Sequence, residues 1–526
     1  MKSVSTPIST ARFLASVCLG AAASAAHGGV ITPDLERAMA MRGTHADTSV
    51  IVRFSNPVDF APLVVTDRRT RDNRLLLALK ARGAQRRAAI EPLLVAQGAR
   101  RITDLWIING LATTLPAVAV KRLAEVEGVK SIGLDSYVQG GRSQRMPAPR
   151  APQRGAAPAL AAPPGVSAQD VVEGAASRAT PGWNMAAVQA PQMWALGHTG
   201  RGVVVAIMDT GVDLAHPDLR RKWRGGANSW FDPHGEENLP YDAVGHGTQA
   251  MGIVLGGRAL GVAPDARWIG VRLYDSAGRA RMSDIHRAFQ WLMDPDGDPA
   301  TVDAPDVVNA SWTLSGRPPG TCIAEFSEDI RALRSSGIAV VFAAGNDGPA
   351  ERTSSSPANN PGALSVGAVE LDLTLARQSS RGPSGCDGAV FPRLVAPGLG
   401  VRTTDISHGG VPTYATVSGT SLAAPHVAGV LALLAGAFPA ASVDELEAAL
   451  VRGAQDLGDR GPDSRYGHGL VQALAAFNAL RDEREPAAQG ATVLGGLADP
   501  DSRNTARSMQ AHERRETGLA SGMPER

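Results

Sequence analysis

Aromatic residues and excess charge of either sign are both scarce in this chain of 526 residues. Phe, Trp and Tyr make up 4% of the sequence, which argues against a surface that stacks on sugars or bases. The 52 Lys and Arg side chains nearly balance 51 Asp and Glu, so the net charge of +1 indicates no nucleic-acid-binding tail. Hydrophobic residues at 44% and charged residues at 20% predict a globular protein, and the length allows two or three domains of roughly 150 residues each.

Long apolar runs are also scarce, and the run nearest the N-terminus is short. Residues 13–26 are mostly apolar and end in small residues, and Lys2 and Arg12 precede them. This three-part pattern predicts a secretory signal peptide over residues 1–26, with an N-terminal helix of the fold as the alternative. The run is shorter than the ~20 residues that a membrane-spanning helix needs. We therefore expect an exported protein, secreted or periplasmic, with no transmembrane segment in the mature chain.

Cysteine occurs three times, and Cys18 lies inside the predicted signal peptide. The other two are Cys322 and Cys386. Two cysteines in an exported protein can pair, but pairing depends on their separation in the folded chain. A disulfide and two unpaired thiols therefore both remain open.

The first patterned region covers residues 45–138 and alternates strands with helices. Asn109-Gly110 separates two apolar stretches and is a strong hairpin signal. The order β-α-β-β-α-β predicts a small ferredoxin-like α+β domain. Its predicted strands cover residues 49–54, 102–108, 111–115 and 129–134, and its predicted helices cover 70–98 and 117–126.

The remainder of the chain divides into three parts. Residues 139–180 are rich in Pro, Ala, Gly and Arg and predict a flexible linker. In residues 181–480, short apolar runs alternate with helical patterns, which predicts an α/β domain built on a mostly parallel, buried sheet. Residues 482–526 are polar and aperiodic, as is typical of a disordered tail.

Two candidate catalytic motifs lie in the α/β region, one at the end of a predicted strand and one at the start of a predicted helix. Asp209 closes the strand-like run Val203 to Met208 and precedes a Thr-Gly turn, a position at which ligands bind in open α/β sheets. His246 lies between two glycines, ahead of a predicted helix. Each has an ordinary structural alternative, as a turn or capping aspartate and as a buried structural histidine.

Two further motifs complete the set. Ser421 lies in the first turn of a predicted apolar helix, where helix-start N–H groups can stabilise an oxyanion, although a capping serine is the simpler alternative. Asn346 follows the apolar run Ile338 to Ala344, and its amide N–H₂ is a neutral donor suited to the same oxyanion. A turn asparagine is the alternative.

The four motifs together form a complete set for acyl transfer, in the chain order Asp, His, Asn, Ser. They resemble the signatures of subtilisin-like serine proteases (peptidase family S8), and residues 230–235 are similar to the bacillopeptidase F-like branch. The resemblance covers roughly residues 185–480. It implies a serine endopeptidase with Ser421 as nucleophile, His246 as general base and Asp209 orienting the histidine. Asn346 and the Ser421 N–H would then form the oxyanion hole.

The resemblance also implies a substrate groove with two walls. Ser355 is expected near the base of its specificity pocket, and no charged residue stands out there, which favours an uncharged or broad preference. Core packing is an equal alternative for Trp312. The residues of the two walls are Ser311, Trp312 and Thr313 on one side and Ala343, Ala344 and Gly345 on the other.

The catalytic chemistry of the family needs no cofactor, and a structural calcium ion stays open. The run Asp294-Pro295-Asp296-Gly297-Asp298 is acidic, but it fails the EF-hand pattern because Pro299 and Pro305 occupy the sixth and twelfth positions. A solvated loop is the simpler interpretation, and no metal ligands are assigned.

The resemblance gives residues 45–138 the role of a propeptide, which aids folding and acts as an intramolecular inhibitor of a zymogen. A permanent interaction module is the alternative. Two other hypotheses concern the whole protein: a non-catalytic binding module with this fold, and an aspartic protease built on Asp209-Thr210-Gly211, for which no second such motif is present. The expected partners are a protein or peptide substrate and no nucleic acid.

Overall fold

The computed structural model describes residues 28–43, 45–64, 67, 73–139, 144–145, 182–314 and 316–484. The predicted signal peptide, most of the predicted linker and nearly all of the predicted tail lie outside these residues. The described residues form an N-terminal unit, residues 28–139, and a C-terminal unit, residues 182–484. The two units contact each other directly.

The N-terminal unit contains a five-stranded sheet with the strand order β1-β5-β2-β4-β3. Its central strand β2 is antiparallel to both β4 and β5. The strands are β1 (Val30–Ile31), β2 (Asp47–Phe54), β3 (Arg100–Leu105), β4 (Gly110–Pro116) and β5 (Val129–Leu134). The helices are α1 (Pro33–Arg42), α2 (Arg74–Ala96) and α3 (Ala117–Ala124).

The hairpin of this unit differs from the expected one in its first arm. The strand predicted over 102–108 stops at Leu105, and Trp106–Ile108 form a 3-10 turn. Asn109 then adopts the left-handed conformation with φ 47°, which asparagine tolerates better than most residues. The turn buries Ile107 and Ile108 in the core that the two units share, so tertiary contacts outweigh the local strand pattern there.

A seven-stranded sheet forms the centre of the C-terminal unit, with the order β15-β14-β13-β12-β8-β10-β9. All of its neighbouring strands pair in parallel, which confirms the predicted parallel sheet. The strands are β8 (Val204–Asp209), β9 (Trp230–Phe231), β10 (Arg267–Arg272), β12 (Val307–Ala310), β13 (Ala339–Ala343), β14 (Leu364–Val369) and β15 (Leu394–Pro397).

Both faces of this sheet are buried, as the continuous apolar runs predicted. Along β8, Val205 and Ile207 face one core, and Ala206 and Met208 face the other, because successive side chains of a strand point to opposite faces. The helices of the unit are α4 (Trp183–Ala187), α5 (Ala190–Ala195), α6 (Pro217–Arg220), α7 (His246–Leu255), α8 (Met282–Met293), α9 (Ser327–Ser335), α10 (Thr420–Ala437), α11 (Val443–Arg452) and α12 (Ala473–Arg484). The helices α7 and α10 cover the first face, and α8 and α9 cover the second.

Helix α10 is, within the described residues, the one helix long and apolar enough to cross a membrane. Most of its length is buried inside the protein, against the sheet and α7. It is therefore the central core helix of the C-terminal unit, and its length and composition are weak evidence for a membrane span.

Five strands lie outside the two main sheets, in one two-stranded and one three-stranded sheet. Strand β6 (Tyr137–Gln139) pairs antiparallel with β11 (Arg279–Arg281). Strand β7 (Gln144–Arg145) pairs antiparallel with β17 (Val411–Ser418), which also pairs with β16 (Val401–His408). The beginning of the predicted linker therefore contributes strands to the C-terminal unit. At the other end, α12 continues to Arg484, past the predicted start of the tail at residue 482.

Candidate active site

Asp209 and His246 form a buried hydrogen-bonded pair. Asp209 is the last residue of β8 and His246 is the first of α7. Nδ1 of His246 donates to Oδ1 of Asp209 at 2.7 Å, and the two residues are 5% and 1% exposed. Burial alone would lower the pKa of His246, but the charge and hydrogen bond of Asp209 outweigh it, so this pKa lies above its usual value. The imidazolium is thus stabilised where a general base would need it.

Two glycines allow the backbones that carry this pair to approach closely. A Cβ on Gly247 would lie 2.1 Å from the carbonyl oxygen of Gly211, and a Cβ on Gly211 would lie 1.9 Å from that of Tyr241. Gly211 also has a φ of 121°, which L side chains rarely adopt. The glycines of both motifs are therefore needed for the contact between β8 and α7.

Ser421 lies in the first turn of α10, as the sequence predicted, and the residue is partly buried. Helix α10 packs against α7, and Leu422, next to Ser421, shares a small buried cluster with Ile253 of α7. Among the described residues, no hydrogen bond joins His246 to the Ser421 hydroxyl. Catalytic hydrogen bonds are often long without substrate and shorten in the complex, so the missing bond does not argue against proton transfer.

The Asn346 side chain is fixed by the same helix start. Its Oδ1 accepts hydrogen bonds from the backbone N–H of Thr420 at 3.0 Å and from the Thr420 hydroxyl at 3.1 Å. Because two donors hold the oxygen, the N–H₂ group points away from them, and the residue is exposed beyond the end of β13. Asn346 can therefore offer an oriented donor next to Ser421, as an oxyanion hole requires.

The predicted groove residues have different environments. Ser311 directly follows β12, and its hydroxyl donates to the backbone carbonyl of Ser421 at 2.8 Å, so this wall is tied to the helix start. The Trp312 side chain is 4% exposed and packs edge-on against Phe326 and Phe342. Its side chain thus belongs to the core, while Thr313 beside it is half-buried.

Gly345 marks the opposite wall, after the buried Ala343 and Ala344. Its φ is 109°, and an added Cβ would lie 2.3 Å from the hydroxyl of Ser355 and 2.8 Å from that of Ser380. The glycine therefore keeps the space beside Ser355 open.

Sequence reasoning missed two carboxylates near the site. Asp347 Oδ2 accepts a hydrogen bond from Ser355 at 2.9 Å, so a charge does lie beside the predicted pocket, contrary to expectation. The signal available was its position directly after Asn346. Asp242 is 2% exposed and accepts hydrogen bonds from the segments of both Asp209 and His246. Its only sequence signal was its place four residues before His246.

The structure joins Cys322 and Cys386 in a disulfide, the first of the two alternatives that the sequence left open. The bond spans 64 residues of sequence. Both Asn346 and Ser355 lie within the loop that it closes, so the disulfide borders the region of the predicted pocket.

The acidic loop around Asp294 is paired with a positively charged side chain of the N-terminal unit. Asp294, Asp296 and Asp303 each have a carboxylate oxygen within 4.8 Å of the others. The Lys80 ammonium donates to Asp294 and also to the Gly297 carbonyl, at 3.0 Å in the second case. The loop is therefore paired with an amino group in this structure, and a structural calcium ion stays a prediction.

An aspartic protease built on Asp209 is not supported by the geometry. Such a site needs two carboxylates that share a proton, whereas Oδ1 of Asp209 accepts from His246 and from the Thr210 N–H. The aspartate is therefore arranged to orient an imidazole.

The comparisons with known proteins agree with this arrangement. The model of the subtilase family matches residues 200–469, about half of the chain. Bacillopeptidase F of Bacillus subtilis (strain 168) is 36% identical over 372 residues, which are 64% of this chain and 25% of bacillopeptidase F. Subtilisin E of the same strain is 36% identical over 301 residues, 56% of this chain and 70% of subtilisin E. The chain thus spans about a quarter of bacillopeptidase F and most of subtilisin E.

Among solved structures, fervidolysin from Fervidobacterium pennivorans, described as a keratinolytic enzyme related to subtilisin, matches with a TM-score of 0.59. The alignment covers 86% of this chain and 63% of fervidolysin at 21% identity, so it shows a shared fold. The family match includes all four predicted motifs, from Asp209 to Ser421. Both the subtilisin-like fold and the resemblance seen in the sequence are confirmed, and the chain belongs to the subtilase family of serine-type endopeptidases.

Proposed function

We propose that this protein is an exported serine endopeptidase, made as a zymogen, that cleaves peptide bonds through Asp209, His246 and Ser421. The observation that carries the proposal is the buried Asp209–His246 hydrogen bond, with the helix that bears Ser421 packed against the helix that bears His246. The ring is oriented by its Nδ1 donor, which leaves Nε2 to act as the base.

The proposed reaction has two halves. The Ser421 hydroxyl oxygen attacks the substrate carbonyl carbon while Nε2 of His246 takes its proton, and the Asn346 amide and the Ser421 N–H stabilise the oxyanion. The amine leaves with that proton, and an acyl-enzyme remains on Ser421. Water then attacks the acyl carbon and gives a proton to His246, and the acid leaves as His246 returns that proton to the Ser421 oxygen. Every proton in this sequence is accepted and returned by His246.

The Ser421→Ala variant tests the nucleophile. It is expected to lose cleavage of casein and labelling by a fluorophosphonate probe, because no hydroxyl remains to form the acyl-enzyme. The matched control is Ser276→Ala, an exposed serine bonded to Glu236, which should keep both activities. Casein cleavage by Ser421→Ala at the wild-type rate would contradict the proposal.

The N-terminal unit acts as the propeptide in this proposal. Its side chains share an apolar core with α8 and α9, and the Asp135 carboxylate accepts from the N–H of Ser283 at 3.0 Å, which caps the start of α8. Arg53 adds an ion pair with Glu325 at 2.8 Å. Such an extensive fit supports a partner that helps to order the parallel sheet, which folds slowly on its own.

The short strands support a maturation cut early in the predicted linker. Strand β11, which pairs with β6, follows β10, and β10 ends beside Asp209. Strand β17, which pairs with β7, ends three residues before Ser421. Gln139 and Gln144 therefore each end or begin a strand paired with the C-terminal unit, on either side of residues 140–143.

N-terminal sequencing of the secreted protein tests this part of the proposal. The mature chain is expected to begin within or close to residues 140–145, and the Ser421→Ala precursor should stay uncut. Wild-type protein that retains residues 45–138 would instead favour the permanent interaction module. The disulfide supports export, because such bonds are typical of oxidising compartments. Recovery of the protein from the cell interior alone would contradict export.

The pocket beside Ser355 is proposed to accept basic side chains. Asp347 supplies a carboxylate there, and a cationic substrate side chain would pair with it. The Asp347→Asn variant should lower kcat/KM for peptides with Arg or Lys before the cleaved bond and leave peptides with Ala there nearly unchanged. An equal effect on both peptide sets would contradict this preference.

A further inference from the structure

Asp242 is a buried carboxylate that the proposed mechanism does not use. It lies in the loop before α7, four residues ahead of His246, and is 2% exposed. Burying a carboxylate is unfavourable unless hydrogen bonds satisfy it, and burial raises the pKa of Asp242 even though several donors counter it. A charge held at this cost beside a catalytic pair calls for a specific role.

Every contact of Asp242 is with a donor on a segment that carries a catalytic residue or leads into one. Oδ1 accepts from the Thr210 hydroxyl at 2.9 Å, and Oδ2 accepts from the Thr248 hydroxyl at 2.7 Å. Three backbone N–H groups complete the set: Val244 at 3.0 Å and Gly245 at 2.8 Å on Oδ1, and Thr248 at 3.0 Å on Oδ2.

Thr210 extends this arrangement into a continuous link. It directly follows Asp209, and its hydroxyl oxygen accepts from the Gly247 N–H at 3.0 Å while its hydrogen goes to Asp242. One end of the link is therefore the strand end that bears Asp209, and the other is the helix start that bears His246. A substitution at Asp242 would therefore alter the positions of the strand end and of the helix start together.

We propose that Asp242 is a positioning residue that, through Thr210, fixes the Asp209 carboxylate and the His246 ring in register and adds a second negative charge behind the imidazolium. This inference rests on the proposed serine endopeptidase function. It assigns to the chain a part of the site that neither the motifs nor the family match identifies.

The charged groups around the start of α7 come from three elements. Asp209 lies at the end of β8, Asp242 in the loop before α7, and Asp405 on β16, where an added Cβ on Gly245 would lie 2.8 Å from its Oδ1. Both Asp209 and Asp242 help to raise the pKa of His246. Loss of the charge at Asp242 therefore lowers this pKa, and the enzyme should keep its activity to a lower pH.

The Asp242→Asn variant tests the role. Because three of its partners are backbone N–H groups, an amide N–H₂ in place of either oxygen loses at least one hydrogen bond. We expect kcat per active site, titrated with a fluorophosphonate probe, to fall about tenfold to 100-fold with KM within twofold of wild type. The acid limb of kcat/KM should shift to lower pH. The control is Asp218→Asn, a carboxylate bonded to Tyr414 and to neither catalytic segment.

A second pair of variants covers the case in which Asp242→Asn does not fold. Thr210→Val removes the hydroxyl and keeps the side-chain shape, whereas Thr210→Ser keeps the hydroxyl. The inference predicts a loss of kcat for the valine variant alone. Equal kcat per titrated site in both, or an unshifted pH profile and unchanged kcat in Asp242→Asn, would reduce Asp242 to a structural role. Failure of the proposed function itself would appear separately, as absence of probe labelling in the wild type.

Discussion

Two buried histidines in the C-terminal unit each donate Nδ1 to an aspartate, and they differ in what lies on the other side of the ring. His246 pairs with Asp209 at 2.7 Å, and its Nε2 has no hydrogen-bond partner among the described residues. His286 pairs with Asp329 at 2.9 Å, and its Nε2 contacts Glu325 at 3.1 Å. Each histidine thus has its own aspartate partner at Nδ1, and the two rings differ in whether Nε2 also has a partner.

The second nitrogen decides which chemistry each ring can perform. Burial disfavours the charged form of His286, but Asp329 and Glu325 outweigh it and raise its pKa to about 9. With both nitrogens bound to carboxylates, this ring is a fixed cation in a cluster that Arg53 completes. A histidine–aspartate pair therefore indicates a general base only where one nitrogen remains accessible to the reacting group.

The largest expected effect is a difference between Asp209 and Asp329 in their contribution to the catalytic rate. Asp209→Asn should slow self-cleavage of the precursor about 10⁴-fold, because the amide favours the wrong tautomer of His246. Asp329→Asn should leave that rate within a few-fold of wild type. Both rates can be followed on gels after refolding, with Ser421→Ala as the uncut reference. Equal losses in the two variants would remove the distinction.

The next effect separates them by stability. Asp329→Asn breaks a fully buried ion pair and is expected to lower the free energy of unfolding by roughly 3–5 kcal/mol. Urea unfolding in the Ser421→Ala background measures this without self-digestion. A variant as stable as its parent would show that the His286 cluster contributes nothing to the fold.

A smaller effect concerns the pH dependence of stability. The folded pKa of His286, about 9, lies above its usual 6.5, so its contribution is fully present below about pH 6.5 and declines as the pH rises through 9. Unfolding free energies of the Ser421→Ala precursor should fall over this window, and His286→Gln should fall less. Parallel curves for the two proteins would contradict the assignment.

The smallest effect is expected in the pH profile of activity. Because the pKa of His246 lies above its usual value, kcat/KM should decline with falling pH from a midpoint above 6.5. Rates on a neutral peptide substrate between pH 5 and 9 measure the midpoint. A midpoint below 6.5 would mean that Asp209 does not stabilise the imidazolium as the geometry indicates.

The sequence predicted the parts of the site that depend on local pattern. Asp209 at a strand end, His246 at a helix start and Ser421 in a first helical turn follow from short motifs and hydrophobic periodicity. Other features depend on residues far apart in the chain. The contact between Arg53 and Glu325 joins positions 272 residues apart, and the 3-10 turn at Trp106–Ile108 forms against helices that follow much later.

The direction of the side chains was the other feature that the sequence could not predict. Trp312 could line the groove or fill the core until the positions of Phe326 and Phe342 were known. Asp242 and Asp347 are ordinary acidic residues by sequence, and their roles depend on which donors surround them. The sequence therefore identified which residues could react, and the fold was needed to identify those that support them.

The disulfide between Cys322 and Cys386 divides the candidate site in an uneven way. The loop that it closes contains Asn346 and Ser355, whereas Asp209, His246 and Ser421 all lie outside it. Reduction of the disulfide would consequently loosen the side of the site that holds Asn346 and Ser355, while the Asp209–His246 pair stayed anchored. A cell that makes this protein without oxidising its thiols would obtain the proposed nucleophile next to a poorly ordered substrate pocket.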